Sequence, residues 1–156
     1  MPTTALMTQY FATINATEST IFNFDLPSSY AGKTCSLEFL FPTQSQLQTS
    51  SYTFSGAGSV NFLQLSSPAT QATTYQNQPS SKSIGNFTVT PGTSTIVASG
   101  PCAAGSTVSY ELKANGNTAL NYFQGTSLAY ELRCLSWTNI ASDYNPSPIG
   151  LYVVAC

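Results

Sequence analysis

The chain contains no histidine, and only 6% of its 156 residues are charged. The absence of imidazole excludes a Ser-His-Asp or Cys-His catalytic group and any metal site built on His ligands. The four basic residues are scattered, whereas proteins that hold nucleic acids or anionic membranes cluster their cations. No apolar run approaches the roughly 20 residues of a membrane-spanning helix. The sequence therefore excludes these partner classes, and no cofactor is expected.

The chain is nevertheless able to build a core, because it contains nine Phe and nine Tyr. Its length predicts one domain over residues 1–156, since most domains hold about 100–150 residues. The cysteines are even in number and widely spaced: Cys35, Cys102, Cys134 and Cys156. Without His or a CxxC pair they favour two disulfides over a metal site, and three pairings are open. Disulfides imply an oxidising compartment, the alternative being four reduced thiols in a cytosolic domain.

Two sequons agree with an extracellular location. Asn15 and Asn86 each stand two residues before Thr, which predicts N-glycosylation at both. The first residues lack the basic segment and apolar run of a signal peptide. We therefore expect the mature form of a secreted protein, a cytosolic protein being the alternative.

The dominant periodicity is two, which predicts strands that are buried on one face. Apolar residues alternate with polar ones in Phe22–Leu26, Cys35–Phe41, Val108–Leu112 and Leu128–Cys134, and Gly or Pro recurs every ten or so residues. This pattern predicts an all-β fold, an antiparallel, jelly-roll-like β-sandwich held by disulfides. Asn115-Gly116 between two such runs predicts a hairpin. The polar stretch 64–83 predicts a long surface loop or an edge meander.

Carboxylates are the remaining route to catalysis. Glu38, Glu111 and Glu131 each lie on the polar face of a strand pattern, and neighbouring strands could bring two of them to the spacing of a glycosidase. The alternative, which we favour, is ordinary solvated surface charge. The chain also has no Gly-x-Ser-x-Gly turn, P-loop or Asp-Thr/Ser-Gly turn. We therefore expect no catalytic residues and no enzyme.

A binding surface is better supported by the aromatic residues. Trp137 is the only tryptophan, and it precedes a loop with Tyr144 and Asn145, while Tyr130 lies on the strand pattern before it. Trp and Tyr beside short polar residues suit both sugar stacking and the centres of protein interfaces. The alternative is that Trp137 packs between two sheets. We take these four residues as the candidate binding site.

Several segments together resemble one known family. They are Phe24–Pro27, Ala31–Pro42, Tyr52–Gly56, Thr73–Tyr75, Pro91–Gly92, Cys102 with Gly105, Val108–Tyr110, Tyr122–Gln124 and Pro146–Tyr152 with the closing Cys156. The chain resembles the fungal But-two C-terminal domain family, which implies a secreted or cell-surface domain without a catalytic residue set. The family name suggests ubiquitin-like binding. Compared with the family pattern, residues 125–142 are an insertion, and they bring Cys134 and Trp137.

These observations lead to one functional expectation with alternatives. We expect a secreted, non-catalytic fungal β-sandwich that binds an extracellular protein, as a virulence effector or an inhibitor of a host hydrolase such as a protease. The first alternative is a cell-wall or glycan-binding module. A carboxylate-dependent glycan hydrolase and an intracellular ubiquitin-like-binding domain are further alternatives.

Overall fold

A computed structural model describes residues 10–47, 51–124 and 149–156. These residues form ten β-strands and two single turns of 3-10 helix, and none of the described elements is a helix that could cross a membrane. The strands are β1 (Tyr10–Ile14), β2 (Thr20–Asp25), β3 (Thr34–Phe41), β4 (Tyr52–Ser55), β5 (Ser59–Leu65), β6 (Ser81–Thr88), β7 (Thr93–Pro101), β8 (Thr107–Ala114), β9 (Ala119–Gln124) and β10 (Gly150–Ala155).

The strands form three antiparallel sheets. The four-stranded sheet has the order β2-β8-β5-β6, and the two three-stranded sheets have the orders β10-β3-β7 and β1-β9-β4. Each sheet contains strands that are distant in sequence, as expected of a sandwich and not of a simple meander. The predicted all-β antiparallel sandwich is confirmed.

Aromatic rings from all three sheets meet in the core. The Phe39 ring on β3 lies 6.0 Å from Phe62 on β5 and 5.9 Å from Tyr122 on β9. Phe41, two residues along β3, lies 5.2 Å from Phe54 on β4. All these contacts are edge-to-face, the arrangement that the ring quadrupoles favour. The period-two pattern of β3 therefore supplies the side chains that join the sheets.

The last strand is joined to β9 by a side chain. The Gln124 amide donates to the Leu151 carbonyl at 2.6 Å and accepts from the Leu151 N–H at 2.9 Å, so it pairs as a neighbouring strand would. Gly150 makes room for it, because a Cβ there would lie 2.2 Å from Gln124 Oε1. The backbone of Gly150 also has a φ of +127°, which other residues rarely adopt. Residues near both ends of the 125–148 interval are thus held together.

One disulfide links the start of β3 to the end of β7. Cys35 and Cys102 are bonded, and the Cys102 N–H donates to the Lys33 carbonyl at 3.0 Å. The expected disulfide is therefore present, and the structure selects one partner for Cys35 among those left open by the sequence. Cys156 is also disulfide-bonded, while Cys134 lies outside the described residues.

Two sequence predictions need correction. The Asn115-Gly116 turn exists, with a φ of +69° at Gly116, but it joins β8 to β9, which belong to different sheets. The hairpin prediction is therefore wrong. Asn115 instead donates its N–H to the Ser59 carbonyl at 2.9 Å, so the turn is held to the four-stranded sheet while the chain leaves it. The polar stretch 64–83 also ends earlier than expected, because β6 begins at Ser81.

Candidate functional site

A long loop covers the outer face of the four-stranded sheet. On β8, Tyr110 and Leu112 contact the core, so that Ser109 and Glu111 point to the opposite, outer face. Residues 66–80, which connect β5 to β6 and are called the 66–80 loop below, lie over this face. The loop is closed at its base, where the Ser66 N–H donates to the Ser80 carbonyl at 2.8 Å. It has the length and closed ends of an Ω-loop.

The first half of the loop is clamped through its backbone. The Ala69 N–H donates to Ser109 Oγ at 3.1 Å, and the Ala69 carbonyl accepts from Asn23 Nδ2 at 2.8 Å. Asn23 and Ser109 stand directly opposite each other on β2 and β8, and the Ser109 hydroxyl donates to Asn23 Oδ1. Ala69 also packs with Ile21 and Leu65 in a small buried cluster. The backbone N–H and carbonyl of Ala69 are thus both hydrogen-bonded to side chains of the sheet.

The second half is held by a buried carboxylate. Glu111 has no exposed surface, and its two oxygens accept from Ser19 Oγ at 2.7 Å and from Gln78 Nε2 at 3.2 Å. Lys113 Nζ lies 3.6 Å from Glu111 Oε1 and 6.0 Å from the centre of the Tyr75 ring. A buried carboxylate persists only when it is paired and hydrogen-bonded, and here the loop supplies one of the donors.

The orientation of Gln78 shows how strongly the carboxylate determines this contact. Its Nε2 faces Glu111, and its Oε1 is buried with no hydrogen-bond partner, which no other side-chain atom of the described residues shows. Turning the amide would place Oε1 against the carboxylate oxygens, so the present orientation keeps the charge-assisted bond at the cost of one unpaired acceptor.

The tip of the loop is ordered by its own hydrogen bonds. The Thr73 side chain accepts from the Thr70 N–H at 2.8 Å, and the Asn77 side chain accepts from the Thr74 N–H at 2.6 Å. Tyr75 lies within the second of these turns, and 76% of it is exposed, the largest exposed fraction among the large apolar side chains described. The loop thus presents an aromatic ring on a backbone that is fixed at its base, along its length and at its tip.

A family model matches most of the chain. The family model for the ubiquitin 3 binding protein But2 C-terminal domain matches residues 1–127. The chain belongs to this family. No curated protein and no solved structure gives a match. In this But2 C-terminal domain the match ends before β10, yet β10 pairs with β3 over its whole length. The final strand is therefore part of the same sandwich as the matched residues.

The aromatic site predicted from the sequence lies elsewhere in the chain. Trp137, Tyr130, Tyr144 and Asn145 all lie outside the described residues of the But2 domain. Their role as a binding site stays a prediction, as does the insertion at 125–142.

Of the three candidate carboxylates, the two that the structure describes are not brought together by neighbouring strands. Glu38 lies on β3 and Glu111 on β8, two strands of different sheets, and Glu131 lies outside the described residues. Glu111 is also fully buried, so it is not the solvated surface charge that we favoured. Its two oxygens accept from Ser19, just before β2, and from Gln78 of the 66–80 loop. In the described ranges, no three Cys, Asp or Glu side chains are grouped so that they could hold a metal.

The two sequons of the domain lie on different kinds of backbone. Asn15 follows β1 in a tight turn, where its Oδ1 accepts from the N–H groups of Thr17 and Glu18 at 2.9 Å each. Asn86 is exposed on β6, an edge strand of the four-stranded sheet. Glycosylation of both stays a prediction.

Sequence reasoning did not find the site formed by the 66–80 loop. It identified a polar stretch over residues 64–83, but not that the outer face of β8 would be buried. The available signal was the run Ser109, Glu111 and Lys113 on one face together with apolar Ile21 on the same face of the neighbouring strand. Together with Leu63 and Leu65 on β5, Ile21 forms an apolar patch on this face, and such a patch calls for a cover.

Proposed function

We propose that this But2 C-terminal domain binds a protein partner without catalysis, through the 66–80 loop with Tyr75 at its tip. The coarse role agrees with the family, whose name describes a binding protein. The observation that carries the proposal is the combination of an aromatic ring, 76% exposed, with a loop whose backbone is clamped to a sheet.

The physical reason is preorganisation. Most of the free energy of a protein interface comes from a few residues, among which Tyr is enriched. Ordering a loop during binding costs free energy, and a loop that is already hydrogen-bonded avoids that cost. Lys113 beside the Tyr75 ring adds a cation whose charge is offset by Glu111, so the tip is polar at its edge and apolar at its centre.

We further propose that the partner is extracellular, such as a host hydrolase that the loop blocks by occupying its active-site cleft. The Cys35–Cys102 disulfide supports an oxidising compartment. The family name points to a ubiquitin-like partner, which belongs to the cytosol, where disulfides are rarely stable. An extracellular hydrolase and a ubiquitin-like protein are therefore compared as partners in the affinity-capture experiment below.

A glycan is the second candidate, favoured by the same exposed ring, because a Tyr face can stack on a sugar. The exposed pair Phe11 and Phe123 does not supply a flat sugar platform, since the two rings meet at 61°. Tyr75 is therefore the residue on which both candidates are tested.

The test is affinity capture with the oxidised domain and two variants. Tyr75→Ala removes the proposed anchor, while Ile96→Ala removes an exposed apolar side chain of 59% exposure on β7 as the matched control. The bait is offered secreted hydrolases, a purified ubiquitin-like protein, chitin and β-glucan. We expect one protein to be retained by the wild type and by Ile96→Ala, and its affinity to fall by about 30-fold or more in Tyr75→Ala.

Each other outcome has a definite meaning. Equal retention by both variants contradicts the role of the loop. Retention of a polysaccharide alone, lost in Tyr75→Ala, replaces the protein partner with a glycan. Binding of the ubiquitin-like protein alone refutes the proposed compartment and keeps the binding role.

A further inference from the structure

A cleft opens between two of the sheets at the end where the disulfide lies. Its volume is about 230 Å³. It is bounded on one side by the Cys35 and Leu37 positions of β3 and the end of β7, and on the other by Gln64 of β5 and Tyr110 of β8. The cleft is distinct from the 66–80 loop, because Tyr110 and Glu111 point to opposite faces of β8.

The floor of the cleft is apolar. Leu26, Leu37, Val108 and Val153 line it, with Ala98 from β7. A cavity of about 150 Å³ is large enough to take one benzene ring, so this cleft has room for one ring and a short arm. Its volume lies below the roughly 300 Å³ at which pockets for drug-sized ligands begin.

Donor side chains stand at the rim of the cleft and on the strand beside it. Gln64 and Tyr110 line the cleft and stand opposite each other on β5 and β8. Lys82 does not line the cleft, but it stands opposite Gln64 on β6, so the three side chains share one face of the sheet. Lys82 is exposed, and no Asp or Glu among the residues that the structure describes lines the cleft. Burial raises the pKa of the Tyr110 phenol, which keeps its hydroxyl protonated and able to donate. Such a rim complements an anion or a strong acceptor.

We infer that this cleft binds a small monocarboxylate that carries one apolar ring. The ring lies on the apolar floor, and the carboxylate lies at the row formed by Lys82, Gln64 and Tyr110. A free aromatic acid and the C-terminal residue of a peptide share this chemistry. The inference does not depend on the role of the 66–80 loop.

The test is a titration followed by ¹H–¹⁵N NMR, with 3-phenylpropionate as the probe and its neutral amide as the matched control. We expect saturable shifts at Gln64, Ala98 and Tyr110 with the acid, at millimolar concentration, as befits a ligand of this size. In Lys82→Gln, whose side chain is exposed, the affinity for the acid should fall about two- to fivefold, while that for the amide stays unchanged.

A second variant tests the floor. Ala98→Leu fills the cleft and should abolish the shifts; if this variant does not fold, Lys82→Gln decides alone. No saturable shift, shifts outside the cleft, or equal affinity for acid and amide would overturn the inference. An acetylated tripeptide ending in phenylalanine distinguishes the sources: tighter binding than the free acid indicates a peptide terminus, and no binding indicates a small molecule.

Discussion

Replacing Glu111 by alanine tests whether the buried carboxylate holds the 66–80 loop. The substitution removes the acceptor of Ser19 Oγ and of Gln78 Nε2, and the ionic partner of Lys113. Gln78 belongs to the 66–80 loop, and Ser19 directly precedes β2 of the sheet. The contact between the loop and the sheet should therefore weaken. We expect the loop to open locally before the sandwich unfolds.

The magnitude follows from the groups left unpaired. Each buried donor without an acceptor costs about 1–3 kcal/mol, while Lys113, 36% exposed, is largely rehydrated and adds little. The free energy that holds the loop on the sheet therefore falls by about 3 kcal/mol. The loss cannot exceed the free energy of detaching the loop, because water then reaches Ser19 and Gln78. A loss of this size corresponds to about 100-fold faster local amide exchange.

Glutamine at the same position is the informative comparison. Glu111→Gln keeps one oxygen for Ser19, and its N–H₂ group can donate to Gln78 Oε1 once the Gln78 amide turns, so that Nε2 instead of Oε1 is then left unpaired. We therefore expect a loss of only about 1 kcal/mol. Exposed Glu18 provides the control, since Glu18→Ala should leave the 66–80 loop unchanged.

Hydrogen exchange read by mass spectrometry over residues 66–80, with urea unfolding for the global stability, measures both effects. Unchanged exchange of the loop in Glu111→Ala would refute the clamp, even if the global stability fell. If Glu111→Gln proved as damaging as Glu111→Ala, the charge itself and not the hydrogen-bond pattern would be responsible.

Three further predictions concern the sandwich. The double variant Cys35→Ser/Cys102→Ser opens a link across 67 residues and should lower the free energy of unfolding by about 4 kcal/mol, and an unchanged urea midpoint would contradict this. Gly150→Ala places a Cβ against the clamped Gln124 amide in an unfavourable φ region, so calorimetry should show a loss of about 2–4 kcal/mol; a loss below 1 kcal/mol would show that the amide contact is dispensable. Burial raises the pKa of the Tyr152 phenol above 10.0, so folding favours its protonated form, and stability is present below pH 10 and lost as the pH rises above it. Urea unfolding between neutral pH and about 11 should show this slope reduced in Tyr152→Phe, and an identical slope would refute its origin in Tyr152.

Most strands could be predicted because their alternation is local. Phe22 and Phe24 on β2, or Leu37 and Phe39 on β3, bury one face, and each pattern is complete within six to eight residues. The beginning of β6 could not be predicted, since Ser81 and Lys82 look like loop residues. They become a strand because β5 offers free hydrogen-bonding groups beside them.

Sheet partners were beyond local reasoning. Asn115-Gly116 has the composition of a hairpin turn, yet the strands on its two sides join different sheets. An Asn-Gly turn suits both a hairpin and a connection between two sheets, because a positive φ reverses the chain without specifying which strands pair afterwards. Pairing depends on burial of Tyr122 of β9 against Phe39, which is remote in sequence.

By itself, the sequence determined the fold class, the presence of a disulfide, the family and the exclusion of imidazole chemistry, because composition and period-two alternation act within short stretches of chain. Tertiary structure alone decided that Cys35 bonds Cys102, that Glu111 is buried and that Tyr75 stands on a clamped loop. These properties arise where strands distant in sequence meet. Whether a polar face such as that of β8 is solvated or covered depends on which other segment of the chain packs against it.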